Sequence, residues 1–153
     1  MTEPRIATCL WFDDQAEAAA RLYCSLFAPA AIDEVFHQNG DPAAGAFMVA
    51  FTLMGQQYLA MNGGPHYRLT PAVSISVHVD TQDEVDRLWT ALLAEGGVES
   101  RCGWLTDRFG LSWQIIPRAL PRLLQTKAAP QVLQAMMAMV KLDIAALEAA
   151  AAG

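Results

Sequence analysis
The chain has 153 residues, with 10 Lys and Arg against 16 Asp and Glu (net charge −6), and it is 54% hydrophobic and 17% charged. That apolar content excludes disorder and suits one domain, or a pair of small repeats sharing a core. The acidic balance offers no Lys/Arg stripe for phosphates, so neither nucleic acid nor an anionic membrane surface is an expected partner.

The run Arg5 to Phe12, bounded by Pro4 and by Asp13-Asp14, predicts a strand. Ala16, Ala19, Ala20, Tyr23, Leu26 and Phe27 then recur at helical spacing, with Asp14 placed as N-cap and Pro29 as stop. Ile32–His37, Phe47–Met54 and Tyr58–Asn62 predict three strands, separated by Asn39-Gly40-Asp41-Pro42 and by Gly55-Gln56. The same order then restarts. Ala72–Val79 predicts a strand, Asp80 the next cap, and Val85, Leu88, Trp89, Leu92 and Leu93 an apolar stripe that Gly96-Gly97 ends. Val98–Trp104, Thr106–Phe109 and Ser112–Ile116 follow as short strands. Arg21-Leu22-Tyr23 and Arg87-Leu88-Trp89 stand at the same distance from Asp14 and Asp80, which is the mark of an internal duplication.

The fold expected is α+β: two βαβββ modules, about residues 5–64 and 72–117, whose mixed sheets curve into a cleft. Residues 118–153 form a C-terminal helical extension, with helices over Ala119–Lys127 and Gln131–Val140 and a last one capped by Asp143. It packs on the fold or on a partner subunit.

Strand alternation then assigns faces. Val73, Ile75, Val77 and Val79 belong under the helices, leaving Ser74, Ser76 and His78 on the concave side with Gln114. Cys9 and Trp11 from the first strand, and Tyr58 and Asn62 from the fourth, are placed on the same side. Small polar groups between aromatic walls suit a small-molecule pocket; a solvated sheet face is the competing reading.

The three cysteines, Cys9, Cys24 and Cys102, form no CxxC or Cys/His cluster, so neither a disulfide framework nor a zinc site is expected. The opening MTEPRIATCLWFDD has too short an apolar run for a secretory leader, and no long apolar span follows. A cytoplasmic protein is expected.

The helix string QAEAAARLYCSLF, the turn NGGP and the segment CGWLTDRFGLSWQIIP resemble the vicinal oxygen chelate superfamily. Within it they are similar to the PhnB-like branch, a relative of glyoxalase I, bleomycin-resistance proteins and extradiol dioxygenases. The similarity extends to the tail motif KLDIAALEAA. In metal-using members the resemblance implies ligands at Ala7, Asn62, Ser74 and Gln114. Ala7 has no donor and Ser74 is a poor neutral one, so no metal or other cofactor is expected. A demethylubiquinone methyltransferase label attaches to this branch, but the sequence has no Gly-rich strand-to-helix loop for a methyl donor. The leading expectation is a metal-free, small-molecule-binding homodimer. The alternatives are an enzyme of lyase, isomerase or dioxygenase type, with Cys9, His78 or Gln114 in its cleft, and an assembly-only protein.

Overall fold
In a computed structural model residues 6–153 are described; Arg5, the expected start of the first strand, lies outside them. The chain divides after Leu69 into two compact units. The first contains β1 (Thr8–Phe12), α1 (Ala16–Leu26), β2 (Ala30–His37), β3 (Ala46–Leu53) and β4 (Gln56–Asn62). Its sheet runs β1-β4-β3-β2, with β1 parallel to β4 and the other pairs antiparallel. The second contains β5 (Ser74–Val79), α2 (Gln82–Leu93), β6 (Val98–Glu99), β7 (Trp104–Thr106) and β8 (Ser112–Pro117). Its sheet runs β5-β8-β7-β6, again with the first pair parallel. The duplication read from the sequence is therefore a duplication of topology.

Each helix packs on one face of its own sheet. In α1, Ala16, Ala19, Ala20 and Tyr23 are buried, and the small residues let the helix approach closely. Beneath them lie Leu10, Phe12, Val49, Phe51 and Ala60. Phe51 stacks on Tyr58 at 5.3 Å between ring centroids and meets Tyr23 at 6.2 Å. In the second unit Val85, Leu88, Trp89 and Leu92 of α2 are buried, as are Leu105, Trp113 and Ile115 of the sheet.

Several expectations are corrected. Asp14 does not cap α1: Gln15 occupies the cap position with no side-chain bond, and Asn62 Oδ1 accepts the Ala16 N–H at 2.8 Å from across the fold. Thr81, not Asp80, caps α2, accepting from the Glu84 N–H at 3.2 Å. Val73 precedes β5 and is exposed rather than packed under α2. The expected strand Val98–Trp104 is broken by a turn in which Cys102 and Gly103 both have positive φ. Thr106–Phe109 is likewise a turn after Thr106. Asp107, 3% exposed, accepts the N–H groups of Phe109 (2.8 Å) and Leu111 (3.1 Å) and the Trp113 indole N–H (2.9 Å). Three donors stabilise a carboxylate that burial alone would expel.

The tail forms α3 (Ala119–Leu123), α4 (Ala129–Met137) and α5 (Ile144–Ala152). Asp143 caps α5 as expected, accepting from the Ala146 N–H at 2.9 Å. Leu120, Val132, Leu142 and Leu147 bury one another together with Ile116 of β8. Val132 of the tail is thus covered within the chain, while Leu133, Met137 and Val140 stay exposed.

Candidate functional site
On the second sheet, alternation leaves Ser74, Ser76 and His78 of β5 and Ser112 and Gln114 of β8 on the face turned away from α2. Register arranges them in rungs: Ser74 opposite Ser112 and Thr106, then Ser76 opposite Gln114 and Trp104. Gln114 Nε2 donates to Ser74 Oγ at 2.9 Å, which fixes the amide and leaves its carbonyl oxygen as an acceptor. Trp104 is half-buried beside Gln114 and offers a flat apolar surface there. Ser76 Oγ and His78 Nε2 are 3.0 Å apart, both side chains exposed. Ser112 is 2% exposed, and among the described residues its Oγ has no hydrogen-bond partner.

A buried hydroxyl without a partner is rare because its desolvation goes uncompensated. Here it stands one rung from an immobilised amide and an indole. The face is therefore sheltered along β8, at Ser112 and Gln114, and open along the edge strand β5, at Ser76 and His78. Sequence reasoning placed Ser74, Ser76, His78 and Gln114 on this face, and the structure brings them together. Alternation puts Ser112 on the same side as Gln114, but the expected site set leaves out both Ser112 and Trp104.

On the first sheet the expected set separates. Cys9 and Trp11 lie on the face away from α1, while Tyr58 and Asn62 lie on the helix side. Tyr58 pairs with Thr8 and Asn62 with Phe12, so the fourth strand presents Gln57, Leu59 and Met61 beside Cys9 and Trp11 instead. Tyr58 is buried against Phe51, and burial pushes its phenol above the ordinary value. Asn62 uses its oxygen on α1 and its Nδ2 on Ala46 O at 2.9 Å. Neither side chain is available to a ligand on the face away from α1. That face carries one apolar rung across four strands: Trp11, Met61, Met48 and Phe36. Trp11 is held by its indole N–H on Gly64 O at 2.9 Å and by Tyr67 edge-on at 4.9 Å. A Cβ on Gly63 would run into the indole ring, so the NGGP turn needs glycine there. Partial burial pushes the Cys9 thiol above its ordinary value, the opposite of what a nucleophile needs.

The residues at the four positions implied for a metal do not fit one. Ala7 has no donor, Asn62 points to the helix side with both amide atoms engaged, and Ser74 and Gln114 bond to each other. Two neutral oxygens do not replace a divalent ion's hydration. Among the described residues no group of three His, Cys, Asp or Glu side chains is placed to hold an ion. A methyl-donor cofactor fits no better: the links from β1 to α1 and from β5 to α2 read Asp13-Asp14-Gln15 and Asp80-Thr81, without the glycines that let backbone approach a cofactor at a strand-to-helix turn.

Among the described residues no helix is long and apolar enough to cross a membrane. The family described as 3-demethylubiquinone-9 3-methyltransferase matches residues 4–116. The match stops short of KLDIAALEAA, so the tail motif lies outside it. No curated protein matches the chain. Among solved structures, a PhnB protein from Bacillus cereus is 28% identical with a TM-score of 0.67, and the alignment covers 74% of this chain and 99% of that one. A protein from Pseudomonas aeruginosa is 22% identical with a TM-score of 0.62, over 75% and 98% of the two chains. The fosfomycin resistance protein FosX from Listeria monocytogenes shares the fold at 16% identity and a TM-score of 0.56, over 82% and 100%.

Proposed function
The chain belongs to the 3-demethylubiquinone-9 3-methyltransferase family, in the PhnB-like branch of the vicinal oxygen chelate superfamily, and on that premise we propose that it binds a small flat or amphiphilic molecule without a metal. The binding surface is the helix-free face of the second sheet. One observation carries this reading: the buried, unpartnered Ser112 hydroxyl beside the fixed Gln114 amide. A ligand that bonds to Gln114 Oε1 while lying against Trp104, and that opens the cover over Ser112 Oγ, would satisfy the orphaned group and cover apolar surface in one step.

The methyltransferase wording of the family description does not carry over, because neither strand-to-helix link has the Gly-rich turn that a methyl-donor cofactor site would use. No observation favours catalysis: among the described residues the Ser76–His78 pair has no carboxylate orienting the imidazole, and the Cys9 thiol is shifted away from reactivity. For partners we propose a second copy of this chain, supported by exposed Leu133, Met137 and Val140 on the tail.

The test is a thermal-shift screen of small aromatic and quinone-like compounds, beginning with methyl 4-hydroxybenzoate, on wild type and on Ser76→Trp. A ligand at one hundred times its dissociation constant stabilises by about 2.7 kcal/mol. Wild type is expected to gain melting temperature, and the tryptophan to fill the face and remove the gain. An equal gain in both proteins would place binding elsewhere.

A further inference from the structure
The C-terminal helices lie outside the family match, yet they pack on the strand that carries Gln114. Ile116 shares the side of β8 turned away from α2 with Ser112 and Gln114 and is only 9% exposed. The tail covers it, through Leu120, Val132, Leu142 and Leu147. In the ladder Ile116 stands opposite His78, one rung beyond Ser76, Gln114 and Trp104.

The tail is held along that same level. The N–H groups of Cys102 and Gly103, just before Trp104, donate to Met139 O and Val140 O at 2.9 and 2.8 Å. A Cβ on Gly103 would come within 3.0 Å of Leu142 Cδ1, so the tail lies directly on the backbone there. From the other side Gln82 donates to Leu142 O at 3.1 Å and accepts from the Ile144 N–H at 2.9 Å. Lys141 pairs with Asp86 at 2.8 Å.

We propose that the C-terminal helices form the end wall of the ligand surface on the second sheet, so that Ile116 and Leu142 set the length of molecule it accepts. The inference rests on the ligand surface proposed above and adds its selectivity. The floor before the wall has two rungs, Ser74–Ser112–Thr106 and Ser76–Gln114–Trp104, spaced about 6–7 Å apart along the strand. That length houses a single aromatic ring with small substituents. Longer compounds meet the tail.

The test uses 4-hydroxybenzoate esters of increasing length, methyl to heptyl, titrated calorimetrically into the full chain. Wild type is expected to bind the short esters and to lose about tenfold or more in affinity for each methylene that meets the wall. Ile116→Ala and Leu142→Ala are expected to move that cut-off to longer esters. Ile116→Val, a milder change should either alanine variant fail to fold, is expected to move it less and in the same direction. An unchanged length profile in folded variants that still bind the methyl ester overturns the wall and leaves the ligand surface standing. If wild type binds no ester, the ligand surface falls and the wall with it.

Discussion

Replacing Ser112 by Ala is expected to make the protein more stable and a poorer binder. The hydroxyl is 2% exposed and has no partner among the described residues, so the folded state bears a desolvation cost of about 1–3 kcal/mol. Alanine removes that polar atom and leaves only a small void, for a net gain of about 1 kcal/mol. In a chain of this size that raises the melting temperature by roughly 2–4 °C. If the ligand bonds to Ser112 Oγ, its loss removes about 0.5–1.5 kcal/mol of binding, or roughly 2- to 12-fold in affinity. Thermal melts without ligand and calorimetric titration with methyl 4-hydroxybenzoate read the two effects separately. A lower melting temperature would mean that the hydroxyl has a partner in the folded state. A higher one with unchanged affinity would mean that the orphaned group is not part of the ligand surface.

Asp107→Ala strands three donors around a buried carboxylate position and is expected to cost about 3–5 kcal/mol, measured by urea unfolding. Asn62→Ala removes the acceptor that caps α1 from β4 and is expected to cost about 1–2 kcal/mol in the same assay, with no change in ester binding. Burial raises the Cys9, Cys24 and Tyr58 pKa values, so these groups keep more protons folded than unfolded. Their contribution is whole below the unfolded values, about 8.5 for the thiols and about 10 for the phenol, and is lost as pH rises through the folded ones; urea midpoints should therefore fall on the alkaline side. Light scattering at micromolar concentration is expected to give twice the chain mass, and a monomer mass would refute pairing of two copies.

The repeat was legible because amphipathic helices and turn residues recur in the same order, and topology follows element order closely. The caps were not, because Asp-rich links advertise a local cap while α1 takes its acceptor from Asn62, 46 residues away in sequence. Alternation sorted β5 and β8 correctly, since Ser-Ile-Ser-Val-His-Val has one apolar and one polar row. On β4 it failed: Gln57, Leu59 and Met61 against Tyr58, Ala60 and Asn62 offers no such contrast, and one residue of slip reverses every side chain. Cys102–Trp104 illustrates a further limit. There Cys102, a non-glycine residue at positive φ, donates its backbone N–H to Met139 O of the tail, a distant partner that no local pattern announces.

The central claim, that the helix-free face of the second sheet holds the ligand, is tested most directly by amide and indole NMR shifts during titration with methyl 4-hydroxybenzoate. The account predicts shifts concentrated at the Gln114 side-chain amide, the Trp104 indole and the backbone of Ser74 and Ser112. Shifts confined to the groove lined by Arg122, Thr126 and Glu148 on the tail, with those four residues unmoved, would contradict it.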